Sequence, residues 1–223
     1  MSRSLAYEQF ESDGRREWMM RIGAREAPPV LIVPPLFEEM NRARALLAAI
    51  MRALAGRGHG CWLPDLKGTG ESAASLADVA WDDWRHDVAS ACAHAEAASG
   101  RAPLVATLRG GGLIDDGAAG IGWWRLAPVA GTSLARDMVR AGIAGVEWAG
   151  YVPSAELRGR LEDAAPVDQA PLRVARLQSD AAAADVKLPG PALWRRSEPG
   201  NSAELAEAAA ADIAAWYATC AGC

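Results

Sequence analysis

Short uninterrupted apolar runs alternate along this chain with longer stretches whose apolar residues recur every three or four positions. Residues 5–11 and 16–22 read as an antiparallel pair, joined at Ser12-Asp13-Gly14 by a turn signal. Residues 29–33, Pro-Val-Leu-Ile-Val, form a continuous apolar run of the kind a strand shows when both its faces are covered. After Pro34-Pro35, residues 41–56 carry Leu46, Leu47, Ile50, Met51 and Leu54 at helical spacing. A strand follows at 58–66, then a helix at 78–98 with Asp78 at its N-cap and Trp81, Trp84 and Val88 along one face. The next apolar run ends at Leu108 and leads through glycines into a further helix. A strand at 123–130 and helices at 134–141 and 154–163 come next. Residues 172–177 and 191–194 read as the last two strands, and 201–219 as a closing Ala-rich amphipathic helix capped by Asn201 or Ser202. Strands alternating with helices predict an α/β fold, a mostly parallel sheet with helices on both faces and no large cap domain. Nothing divides the chain, so residues 1–223 are expected to form a single domain.

Composition narrows the function classes. The chain has 223 residues, 51% hydrophobic and 23% charged, enough for a substantial core. A net charge of −5 gives no footprint for nucleic acid or an anionic membrane, so neither is an expected partner. The first ten residues lack the apolar core of a signal peptide, and the apolar run 27–37 is broken by prolines and is no membrane span. A cytoplasmic protein is expected. Cys61, Cys92, Cys220 and Cys223 then form no disulfide framework, and Cys220-Ala-Gly-Cys223 reads as an incidental tail. A homo-oligomer is left open.

The chemistry turns on one position. The strand ending at Leu108 enters Arg109-Gly110-Gly111-Gly112, the layout of the nucleophile elbow that lifts a Ser, Cys or Asp into the site of an α/β-hydrolase. Arg109 stands at the nucleophile's place, and a guanidinium stays protonated and cannot attack an acyl carbon. In that fold the triad histidine follows the nucleophile along the chain. Here His59, His86 and His94 all precede the elbow. A rival elbow at Gly131-Thr-Ser133-Leu-Ala135 fails the same test, while a triad of another chain order stays open because triads are defined by geometry. The scattered histidines suggest no metal site. The glycine run lacks the Gly-Lys-Ser/Thr of a P-loop, and no cofactor is expected, although its amides could cradle an anion.

Three segments carry a resemblance. Val33-Pro-Pro-Leu-Phe-Glu-Glu-Met-Asn-Arg-Ala-Arg44 resembles the signature of the exosortase A system-associated hydrolase 2 family. Leu108-Arg109-Gly-Gly is similar to that family's elbow, which also carries arginine in place of serine. Gly190-Pro-Ala-Leu-Trp194 followed by Glu198 is similar to its closing segment, so the resemblance runs from about Val30 to Trp216. Asp65-Leu-Lys-Gly-Thr-Gly-Glu-Ser72 also resembles an Asp-x-x-Gly-x-Gly-x-Ser turn common among α/β-hydrolases. The resemblance implies an α/β-hydrolase fold and a place beside bacterial exosortase and exopolysaccharide genes; it implies no particular reaction.

Ligands of such folds sit at the carboxyl ends of the strands. The expected catalytic set is Glu38, Glu39, Arg109, Asp180 and Glu198, with Asp180 near the triad acid's place and Glu198 near the histidine's. Pro35, Leu36, Asn41, Asp65 and Gly110 are the expected ligand-binding residues. Plainer roles exist for several of them: Glu38 and Glu39 suit the positive end of the following helix, Asp180 can cap the alanine run, and Glu198 can be a solvated loop charge. Taken together, they suggest a buried arginine paired with Glu38, Glu39 or Glu198 in a pocket for an anionic or sugar-like small molecule. Paired carboxylates could also perform acid–base hydrolysis. The competing reading is a catalytically inactive structural or protein-interaction module. An open pocket lined by Glu38, Glu39 and Arg109 favours the first class, and a filled one favours the second.

Overall fold

The computed structural model describes residues 5–141, 148, 150–196 and 198–222. Among them, eight strands form one sheet in the order β1-β2-β4-β3-β5-β6-β7-β8. The strands are β1 (Leu5–Ser12), β2 (Arg15–Ile22), β3 (Pro29–Val33), β4 (Gly60–Pro64), β5 (Leu104–Leu108), β6 (Gly122–Leu126), β7 (Leu172–Leu177) and β8 (Val186–Leu188). Among the described strands β2 alone runs against the rest, antiparallel to both β1 and β4. The remaining neighbours pair in parallel.

Period-two alternation sends the strand side chains to two cores. Val30, Ile32, Leu104, Ala106, Trp124 and Leu126 face α1 (Glu38–Gly56) and α5 (Ala203–Ala221). Leu31, Val33, Trp62, Val105 and Trp123 face α2 (Trp81–Ser99), with α3 (Gly131–Ala141) and α4 (Ala155–Asp163) completing that layer. The central strands β3, β4, β5 and β6 are buried along their whole length, which is why they read as unbroken apolar runs. In α1 the predicted stripe Leu46, Leu47, Ile50, Met51 and Leu54 is buried. The small residues Ala206, Ala209 and Ala210 of α5 are buried in the same core.

Several boundaries differ from the sequence pattern for identifiable reasons. Helix α1 begins three residues early, because Glu38 and Glu39 form its first turn rather than precede it. Helix α2 begins at Trp81, not Asp78: Asp83 Oδ2 accepts from the Ala80 amide at 2.8 Å, and Asp78 sits in a separate 3-10 turn capped by Ser75. The last strand is β8 and not 191–194. Arg195 N donates to the Ala192 carbonyl at 3.0 Å and Arg196 N to that of Leu193 at 3.1 Å, so Leu193–Arg195 coils into a 3-10 turn. Ser202 caps α5, its hydroxyl accepting from Leu205 N.

The largest departure follows β5. Where a helix is expected, Arg109–Leu113 and Asp115–Gly117 form two short 3-10 turns. Three consecutive glycines disfavour an α-helix by about 1 kcal/mol each relative to alanine. Beneath the turns lies an ion pair sealed from water, with Asp115 0% and Arg125 2% exposed. Arg125 Nε and Nη2 donate to the two Asp115 oxygens at 2.7 and 2.8 Å, and Nη2 also donates to the Val167 carbonyl. Burial pushes the Asp115 carboxyl up to about 6 despite the guanidinium beside it. Desolvation therefore outweighs attraction here, and the pair stabilises little against an apolar alternative.

Removing one partner is a different matter. In urea denaturation Arg125→Met should cost about 3–5 kcal/mol, because it strands a buried carboxylate. Adding Asp115→Leu to it should recover most of that loss. A double variant as unstable as the single one would show that the pair itself holds the turns together.

Candidate functional site

The site is built where three strands end in strained backbone. Phe37 after β3, Arg109 after β5 and Ala127 after β6 have φ of 55°, 53° and 50°. A non-glycine residue in this region costs about 1–3 kcal/mol and persists where the surroundings over-determine it. Around Arg109 those surroundings are glycine-rich. A Cβ on Gly111 would lie 2.7 Å from the Pro34 carbonyl oxygen and 2.8 Å from that of Val33, so only glycine lets the elbow press against the end of β3.

That close approach brings Arg109 to the first turn of α1. Its Nε donates to Glu39 Oε1 at 2.9 Å, with Arg109 7% and Glu39 6% exposed. Nη2 lies 3.6 Å from Asp137 Oδ2 at the rim, and the guanidinium carbon is 5.7 Å from the centre of the Trp194 ring. Burial raises the Glu39 carboxyl above its usual range, while Arg109 and the Gly110 amide pull it back down. The Gly110 N–H points at Glu39 Oε2 over 3.5 Å. In a serine hydrolase the amide after the nucleophile holds the oxyanion. Here it faces a carboxylate. The second oxyanion donor of that fold comes from the loop after β3, which in this chain opens with Pro34-Pro35, two residues without an N–H.

Above the pair lies an open cleft of about 460 Å³ lined by Glu38, Glu39 and Arg109. Its other walls come from Arg42 on α1, Leu134, Asp137, Met138 and Arg140 on α3, and Trp194-Arg195 in the turn after β8. Arg42 pairs with Glu38 at 3.3 Å and donates to the Trp194 carbonyl, tying that turn to α1.

The expected ligand-binding residues collect elsewhere. Pro35, Leu36, Asn41 and Asp65 line a smaller cavity of about 170 Å³ with Phe37, Trp84 and Tyr151. Asn41 links the two spaces, its Nδ2 donating to Tyr151 Oη at 2.9 Å and to Glu38 Oε2 at 3.0 Å. Burial raises the Asp65 carboxyl, which accepts from the Glu71 amide at 3.0 Å. Gly110 lines neither space, because Leu36 and Leu134 cover it.

Two expected catalytic residues are not brought to the cleft. Asp180 lies beyond β7 and binds Arg176 Nη1 at 2.9 Å and the Ala182 amide, closing a turn; no helix follows it. Glu198 is exposed and lies outside the cleft lining. The rival elbow is the first turn of α3, four residues beyond the end of β6. Among the described residues no histidine lines the cleft. His59 packs on Tyr217 at 5.0 Å with Nδ1 near the Pro28 carbonyl, and burial pushes its pKa down. His94 on α2 reaches Glu8 at 3.2 Å. Cys220 is buried, and Cys223 lies outside the described residues.

Arg42, Asp137, Arg140, Trp194 and Arg195 are cleft residues to which the sequence pattern assigns no site role. For α3 the signal is present, since Leu134, Asp137 and Met138 share one helical face at i, i+3 and i+4. For Trp194-Arg195 no local signal exists, because the turn after β8 places them.

The fold is similar to those of several solved structures. The thioesterase domain from the curacin biosynthetic pathway is 12% identical, with a TM-score of 0.58 over 96% of this chain and 99% of that one. Est1E from Butyrivibrio proteoclasticus, solved with ferulic acid bound, is 16% identical, with a TM-score of 0.57 over 76% of this chain and 77% of that one. The fold is that of the α/β-hydrolases. Epoxide hydrolase VrEH1 from Vigna radiata is 17% identical at a TM-score of 0.44, and this chain spans 40% of its length. No protein-family model matches the sequence, and no curated protein matches it. At these identities the likeness extends to the α/β-hydrolase fold alone.

Within this α/β-hydrolase fold the Arg109–Glu39 pair gives a pH-dependent test. Arg109→Met should cost about 3–5 kcal/mol near neutral pH by stranding Glu39. Without the guanidinium, Glu39 has a folded pKa raised further above its unfolded one. Its penalty is then absent below the unfolded pKa and grows as pH rises through the folded one. Thermal melts should therefore show the variant nearest wild type at about pH 4 and furthest from it at about pH 8. A deficit that does not change with pH would mean that Glu39 is not the stranded group.

Proposed function

We propose that this α/β-hydrolase-fold protein binds a small molecule in its cleft, without serine-triad chemistry, as an accessory of an exosortase or exopolysaccharide system. The observation that carries the reading is the open cleft with the Arg109–Glu39 pair as its floor. An interaction module without a ligand has no need for a cleft of this size at the catalytic edge of its sheet. What supports the pathway is the resemblance of the segment from Val33 to Arg44, together with the arginine elbow. Acid–base hydrolysis by two carboxylates requires groups able to exchange protons. Glu39 is tied to Arg109 and to the Gly110 amide, so binding is the better-supported reading.

Three measurements test it. Arg109→Ser should stay at background on p-nitrophenyl acetate and butyrate, and a fluorophosphonate should label no serine in either protein. Clear turnover or stoichiometric labelling would make the chain a serine hydrolase after all. A saturation-transfer NMR screen of neutral and charged monosaccharide-sized compounds should give signals that vanish in Asp137→Trp, which sets a bulky ring at the exposed rim. Silence across the whole screen would favour the inert module.

A further inference from the structure

Resting on the reading of the cleft as a ligand site, we infer that its occupant is an oxyanion. The carboxylate or phosphate of a monosaccharide-sized molecule would be gripped between Arg140 and Arg195. The cleft holds three carboxylates and four guanidiniums. Every carboxylate already has a cationic partner: Glu39 and Asp137 on Arg109, and Glu38 on Arg42. Arg140 and Arg195 are left over: both are exposed, and among the described residues neither guanidinium has a hydrogen-bond or ion-pair partner.

The two arginines come from different elements, the last turn of α3 and the 3-10 turn after β8, and line the same space. In a chain of net charge −5, the lining of this cleft carries one more guanidinium than carboxylates. A guanidinium fork matches the two oxygens of a carboxylate or phosphate better than a lysine point charge would. Leu134, Met138 and Trp194 supply apolar wall for the body of such a ligand. The volume of about 460 Å³ falls within the usual range for small-molecule sites.

Isothermal titration at low ionic strength with glucuronate, inorganic phosphate and glucose tests the inference. At least one anion should bind roughly tenfold or more tightly than glucose, with affinity falling as salt rises. R140A/R195A should weaken that anion by at least about tenfold and leave glucose unchanged. Arg136→Ala, an exposed arginine on α3 outside the cleft, should bind like wild type. Tighter phosphate than glucuronate would assign a phosphorylated ligand, and the reverse order an acidic sugar. The inference falls if glucose binds as well as both anions, if neither anion binds, or if R140A/R195A binds them like wild type. Glucose binding that is lost in Asp137→Trp but shows no anion preference would overturn the anion alone and leave the cleft reading standing.

Discussion

A cation buried at the end of a central strand must be neutralised where it stands, and the architecture of this site follows from that requirement. Arg109 is carried inward by the same strained turn that presents a nucleophile in catalytic relatives of the fold. Once inside, it needs an anion at hydrogen-bonding distance, and Glu39 supplies one from the first turn of α1. The helix start favours a carboxylate there, so dipole and guanidinium act on Glu39 in the same direction while burial acts against both. The pair therefore joins three things that a sheet alone would leave independent: the elbow, the start of α1, and through Asp137 the rim formed by α3.

A second buried pair, Asp115 with Arg125, lies at the turns that follow the elbow. Arg125 binds both Asp115 oxygens and reaches on to the Val167 carbonyl in the connection toward β7. With two 3-10 turns in place of a helix, the elbow lacks the aligned amides of a full helix start, which would favour negative charge at that point. An arginine is compatible with such an elbow. It would sit badly at the positive end of a long helix.

The sheet was legible because its central strands are covered on both faces and its helices carry wide apolar stripes; residues 29–33 and 172–177 coincide with β3 and β7. Arg109 and Glu39 were legible for a different reason, since charged residues at predicted strand ends are conspicuous. What could not be read were contacts set by tertiary placement. Asp180 and Glu198 follow apolar segments as site residues should, but one closes a local turn with Arg176 and the other faces solvent. Pro191 converted the expected final strand into the turn that delivers Trp194 and Arg195. Asn41 and Asp65 lie at the correct sheet edge yet line a neighbouring cavity, which Trp84 and Tyr151 help to wall.

The same geometry limits how this chain could carry serine chemistry on its fold. Placing a hydroxyl at position 109 would free Glu39 without removing it, and the Gly110 amide would still face a carboxylate. An oxyanion developing there would be repelled by the group that now satisfies the arginine. Removing Glu39 as well would take an acidic residue from the first turn of α1, and Pro34-Pro35 would still lack two donors in the preceding loop. No histidine stands near to take the proton among the described residues. The elbow, its partner carboxylate and the proline loop thus form one mutually dependent arrangement. A surplus charge at the mouth of the cleft is the part of this site left available to a ligand, because the charges on its floor already satisfy one another.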